Sequence, residues 1–211
     1  MALLAQEGPG NWLMYFGQNK LSERWSIHTE VQHRNYELSP ATLEQLLMRS
    51  GVNYHHRSGV MYTAGYARIH NHVFESEQSA PELTEDRIFQ QVIMSHWNGR
   101  VKSEHRYRFE QRWVADEFRM RFRYRLMVFI PINTERIEPG TWFAGIYDEV
   151  FINSESTFFD RNRLYGALGY QLNSVTQLQI GALHQQVGDF GKWHAQFAVV
   201  FNPWLTNQDK E

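Results

Sequence analysis

Residues 117–132 read EFRMRFRYRLMVFIPI. Phe118, Met120, Phe122, Tyr124, Leu126, Val128, Ile130 and Ile132 are all apolar, and Arg119, Arg121, Arg123 and Arg125 alternate with them. Only an extended strand sends alternate side chains to two opposite faces; a period of 3.6 would scatter the four arginines around a helix. The preceding stretch, RVKSEHRYRFEQRWV over 100–114, behaves the same way. Val101, Ser103, His105, Tyr107, Phe109, Gln111 and Trp113 share one face, and Lys102, Glu104, Arg106, Arg108, Glu110 and Arg112 share the other. A turn at Asp116–Glu117 places Arg112 opposite Arg119, Arg108 opposite Arg123, Arg106 opposite Arg125, and Glu110 opposite Arg121. Like charges directly opposite destabilise a sheet, so this register demands acids from elsewhere. Glu104, Glu30 and Glu149 are the candidates.

Working outward, period-two alternation recurs over 11–19, 24–36, 44–55, 59–70, 86–97, 141–153, 161–172, 175–186 and 192–202. That makes about eleven strands, with a weak helical alternative only at Ala41 to Met48. Asn98-Gly99 is the strongest hairpin signal, because both residues accept the positive φ of a type I′ turn. Every proline lies at a segment end or between segments, as strand pairing requires. One domain is expected over 11–202, with residues 1–10 a signal-peptide remnant or disordered start and 203–211 a polar tail.

An apolar face opposite a charged one suits a soluble sheet as well as a membrane barrel. Several features favour an up-and-down antiparallel transmembrane β-barrel of 10–12 strands. Trp12, Trp25, Trp97, Trp113, Trp142, Trp193 and Trp204 sit near segment ends, where barrels carry aromatic girdles. Segments of 12–16 residues exceed the roughly 9–11 that cross a bilayer. The connections after 36, 70, 153 and 186 are generally longer than those after 19, 56, 97 and 172, with 133–140 as an exception. An even strand count is the rule for single-chain bacterial barrels, and eleven departs from it.

Composition excludes other classes. The chain has 211 residues, no cysteine and a formal net charge of -2, which removes a disulfide scaffold, a thiolate metal site and a general nucleic-acid surface. No stretch approaches the roughly 18 apolar residues of a membrane helix. The small net charge is a cancellation: residues 100–125 carry nine Lys/Arg and four Asp/Glu, and the remainder twelve and nineteen.

The charged face is a candidate lumen network of Glu104, Arg106, Arg108, Glu110, Arg112, Arg119, Arg121, Arg123, Arg125 and Glu149. Such an interior can be a packed structural filling or a narrow, porin-like surface that favours a small anionic solute. No catalytic constellation stands out. Ser95 and His96 point to opposite faces, Ser103 and His105 share the face read as lipid-exposed, and His28 and Glu30 share the lumen face without a serine beside them. His70 and His72, with Glu75 and Glu77 nearby, fall short of a metal-ligand set. Glu75, Glu77, Glu82, Glu85 and Asp86 read as an acidic outer loop, a contact surface for a partner or for lipopolysaccharide-bound cations. Gly65, Gly145, Gly166, Gly169 and Gly181 are expected to relieve crowding in a narrow barrel. Neither a cofactor nor a metal is expected. A lipid-modifying hydrolase and a soluble barrel binding a small ligand stay open as alternatives.

The succession NWLMYFGQNKLSERWSIHTEVQHRNY, EDRIFQQVIMSHWNGRVKSEHRYRFEQRW, FRYRLMVFIPI, YDEVFIN and DRNRLYGALGY resembles the outer-membrane barrels grouped as domain of unknown function 2490, over approximately Trp12 to Phe201. His105 to Arg112, Asp148 to Phe151 and Asn162 to Gly166 are its most specific pieces. The resemblance implies a signal-bearing β-barrel in the outer membrane of a Gram-negative bacterium, in contact with lipid and lipopolysaccharide. It brings no activity and no catalytic residue.

Overall fold

The computed structural model describes residues 8–40, 42–57, 59–73, 83–154 and 158–206. Eleven strands follow one another in chain order: β1 (Gly10–Lys20), β2 (Trp25–Asn35), β3 (Leu43–His55), β4 (Val60–Asn71), β5 (Leu83–Asn98), β6 (Val101–Val114), β7 (Glu117–Pro131), β8 (Trp142–Asn153), β9 (Phe159–Gln171), β10 (Thr176–Val187) and β11 (Phe190–Phe201). Each pairs antiparallel with the next, and β1 pairs with β11 to close a barrel. The closing pair is parallel, running from Gly10↔His194 to Gly17↔Phe201. With an odd number of alternating strands the first and last run the same way, so closure through a parallel ladder is what lets eleven strands form a barrel without an edge. Within the segment 41–48, where a helix was the alternative, Leu43 to Met48 is strand.

The β6–β7 hairpin has the register read from the sequence: Arg112↔Arg119, Glu110↔Arg121, Arg108↔Arg123 and Arg106↔Arg125. Its turn is Ala115-Asp116, and Ala115 takes a φ of 48°. The β5–β6 turn differs from expectation. Asn98 pairs with Val101, so Gly99 and Arg100 are the central residues, and only Gly99 has positive φ, at 57°. That is the pattern of a type II′ turn, which needs glycine at its first position and leaves Asn98 in the strand. The expected alternation of long and short connections also fails, because β10 and β11 are joined by Gly188-Asp189 alone.

The two faces of the wall are opposite in character. Outward positions include Leu13, Val31, Met48, Val52, Ile88, Phe109, Phe122, Ile146, Leu164, Leu168, Ile180, Phe197 and Val199, all exposed. Buried positions are dominated by Arg, Glu, Gln, Asn and His. A soluble barrel does the reverse, since burying each large apolar side chain is worth about 1.5–3 kcal/mol. Some outward polar groups pair with each other: Asn162 Nδ2 donates to both carboxylate oxygens of Asp148 at 3.1 Å, and His105 Nδ1 meets the Tyr124 hydroxyl at 2.8 Å. Small apolar clusters line the inside, Trp12–Met14–Tyr165–Leu183–Ala198 and Leu47–Ala67–Ile69. Beyond β11, Trp204 forms a bridge to Lys20 and extends the closing seam.

Candidate functional site

Alternation fixes which side chains reach the lumen, and there the residues of β6, β7 and β8 build a dense ion network. Glu110 is fully buried and accepts from Arg121 Nη2 at 2.7 Å and Arg123 Nη1 at 2.7 Å. Arg49, Arg87 and Arg108 stand 3.8–3.9 Å from the same carboxylate. Glu149 accepts from Arg106 at 2.6 Å and Arg123 at 2.8 Å, so Arg123 bridges the two acids. Glu30 binds Arg49 at 2.6 Å and meets His28 Nε2 at 3.2 Å. Glu85 holds both Arg87 and Arg112. Two buried rings organise the cations further: Arg49 and Arg108 lie over Phe89 at 5.2 and 5.1 Å, and Arg121 and Arg123 over Phe151 at 5.4 and 4.3 Å. We call this assembly the plug.

All ten residues expected in the lumen network occupy inward positions, with different roles. Glu104 pairs with Lys102 at 2.7 Å and not with an arginine. Arg119 is at the rim, where it binds Glu117. Arg125 packs over Tyr147 at 5.5 Å. Glu85, read as part of an acidic loop, is instead the first inward acid of β5; Glu75, Glu77 and Glu82 lie outside the described residues. The inward aromatics Phe89, Phe151, Tyr147 and Tyr165 were missed, although each sits on the polar parity of its strand.

The balance of the lumen is cationic. Eight arginines are buried (Arg34, Arg49, Arg87, Arg106, Arg108, Arg121, Arg123 and Arg163) against four glutamates (Glu30, Glu85, Glu110 and Glu149). The deficit of acid falls on one side. Around the closing seam, Arg34 of β2 donates to Gln32 and Gln45, and Arg163 of β9 donates to Gln185 at 2.8 Å. Both lie over the ring of Trp12, at 4.1 and 4.8 Å. A cavity of about 2620 Å³ runs along the lumen and is lined by both the plug and these seam residues.

Toward the end of the barrel where β11 finishes, a neutral chain replaces the ions. Asn53 donates to Ser26 Oγ at 2.9 Å, Thr63 to Asn53 at 2.7 Å, Gln91 to Thr63 at 3.2 Å, and Arg108 to Gln91 at 2.7 Å. Ser26 Oγ also shares a 2.8 Å hydrogen bond with His55 Nε2. This serine–histidine contact was not read from the sequence, because it crosses the β2–β3 ladder diagonally. Ser26 is fully buried, and among the described residues no carboxylate orients His55, so the contact lacks the third member that activates a nucleophile. Ser103 lies on the outer face with His105, as expected. No group of three metal-ligating side chains occurs among the described residues.

Four of the seven girdle tryptophans, Trp25, Trp113, Trp142 and Trp193, stand exposed on the outer wall near strand ends, beside Tyr54, Phe118, Tyr170 and His184. Trp204 is exposed beyond β11, and the other two take inward positions. Trp12 is 2% exposed and faces inward, packed on His194 at 4.7 Å. Trp97 lines the cavity with Arg136 stacked 4.3 Å above it. The glycines divide likewise. A side chain at Gly65, Gly145, Gly169 or Gly181 would meet a neighbour, whereas Gly166 has nothing within 4 Å.

No curated protein and no solved structure matches the chain. A family model matches residues 9–196, nearly the whole barrel. The chain belongs to the family described as protein of unknown function (DUF2490).

Proposed function

We propose that the protein resides in the bacterial outer membrane and that its lumen is a narrow passive route favouring small anions, constricted by the Arg/Glu plug. The observation that carries the reading is the excess of buried arginine over buried glutamate in a continuous lumen. Guanidinium groups in a low-dielectric interior attract anions and repel cations, as arginine-lined pores do. The membrane setting is supported by the inverted wall, apolar outside and polar inside, by strands of at least eleven residues, and by aromatics near both rims. Lipid and lipopolysaccharide are the partners this wall would meet.

Two experiments test the reading. The protein should fractionate with outer membranes and migrate faster on gels before heating than after; recovery in the soluble fraction contradicts the location. In planar bilayers the wild type should give small conductance steps whose anion preference falls in Arg108→Ala and Arg123→Ala. Silent bilayers would leave a packed, structural barrel and defeat the channel.

A further inference from the structure

We infer that the closing seam holds a binding site for a phosphate-type oxyanion, built by Trp12, Arg34, Arg163 and Gln196, with His194 packed behind Trp12. The inference deepens the anion-favouring reading above and rests on it only for the sign of the charge. The register brings these residues together: Trp12 pairs with Arg34 on β2 and with Gln196 on β11, while His194 and Arg163 flank Leu183 and Gln185 of β10. Since both guanidinium centres lie over Trp12, at 4.1 and 4.8 Å, they are no more than about 9 Å apart. Two buried cations this close repel unless something anionic faces them.

The protein supplies little that does. Arg34 and Arg163 hydrogen-bond only to glutamine oxygens among the described residues. Glu44 on β3 faces Arg34, and Glu149 on β8 stands directly across the ladder from Arg163, but neither forms an ion pair within 4.0 Å with those guanidinium groups, so both act at longer range. Lys192 and Arg161 add positive charge at the rim, Lys192 donating to the Tyr36 carbonyl at 2.9 Å and Arg161 binding Asp160 at 3.0 Å.

Buried polar atoms without partners occur on the plug arginines Arg49, Arg106 and Arg108, one nitrogen each, and gather in greater variety at the seam. Trp12 Nε1, Arg34 Nε, both ring nitrogens of His194 and Gln196 Oε1 are buried and make no hydrogen bond. Trp12 and His194 are each 2% exposed. Buried polar groups are nearly always satisfied, so an unsatisfied cluster calls for a bound group. The set that lines the cavity offers donors from Trp12, Arg34 and Arg163 and an acceptor at Gln196. An oxyanion that also carries a hydroxyl matches both, and hydrogen phosphate or a phosphate monoester has that chemistry. The cavity reaches Trp12, Arg34, Arg163 and Gln196 from the lumen.

Calorimetric titration of the purified barrel in detergent micelles with inorganic phosphate tests the site. One saturable event is expected, weakened about tenfold or more in Arg34→Gln and in Arg163→Gln. Arg68→Gln, on the outer wall, should bind as the wild type does, and heat-modifiable gel migration verifies that each variant is folded. Trp12→Phe keeps the ring and removes one donor, giving a milder loss should an arginine variant not fold. A short-chain phosphatidic acid, titrated in parallel, separates the sources: seam-dependent binding of it alone assigns the site to a lipid headgroup, and binding of free phosphate assigns a soluble ligand. Neither probe binding saturably to folded wild type, or the probe that binds doing so equally in both arginine variants, overturns the proposal. Phosphate binding without bilayer conductance would remove the passage and leave the site; conductance without binding would remove the site alone.

Discussion

The plug and the closing seam are built from the same residue type and differ in what faces it. In the plug, Arg121 and Arg123 donate to Glu110 at 2.7 Å, and Arg123 also holds Glu149. At the seam, Arg34 and Arg163 find amide oxygens and the face of Trp12. A buried ion pair satisfied on both sides is costly to break, because removing one partner leaves the other charged and dry. A buried cation whose nearest acids stand beyond ion-pair distance, as Glu44 does for Arg34 and Glu149 for Arg163, carries part of that cost already. The plug therefore reads as structure, and the seam as a place kept open for charge from outside.

The largest expected effect sharpens that contrast. Glu110→Gln leaves Arg121 and Arg123 without their shared carboxylate and should destabilise the barrel by about 3–5 kcal/mol, read as a lowered urea midpoint in micelles. Next comes Gly65→Ala. A Cβ there would press on the Ser50 carbonyl oxygen and sit 2.7 Å from the ring of Phe89, over which Arg49 and Arg108 stack, so about 1–3 kcal/mol of overpacking is expected in the same unfolding assay. Gly166→Ala, with nothing within 4 Å, is the matched control and should change little. Arg34→Gln at the seam should cost less than about 1 kcal/mol, or stabilise, since it relieves repulsion with Arg163. A loss as large as that of Glu110→Gln would erase the distinction between the two regions. The smallest effect lies outside both: Ala115→Gly removes a left-handed alanine from the β6–β7 turn and should raise stability by about 0.5–1 kcal/mol.

Much of this was legible in the sequence where the physics is local. Alternation over 100–132 specified β6, β7, their register and nine of the ten network charges, because a strand has only two faces and the arginines mark one of them; Glu149 came from the alternation of β8. About eleven segments could be counted, within an expected range of 10–12, but the even-count rule spoke against eleven. What escaped was the parallel closure, a consequence of ring topology that no single segment records. Trp12 and Trp97 were misassigned because nearness to a strand end was taken to imply the outer wall; parity, which places Trp12 with Met14 and Phe16 and Trp97 with Ser95 and Ile93, was the better guide. The ion pairs of the plug depend on Glu30, Glu85 and Glu149 arriving from three different strands. In the closed barrel Glu85 and Glu149 reach arginines of β6 and β7 and Glu30 reaches Arg49, whereas among the described residues no acid comes within ion-pair distance of Arg34 or Arg163.

The account turns on the sign of the charge that the lumen presents. The most direct measurement is the reversal potential of single channels in a planar bilayer under a potassium chloride gradient. A potential displaced toward the chloride equilibrium value, and moved back toward zero by Arg108→Ala, is the expected result. A potential displaced toward the potassium value would contradict it, since a lumen with twice as many buried arginines as glutamates would then be selecting cations.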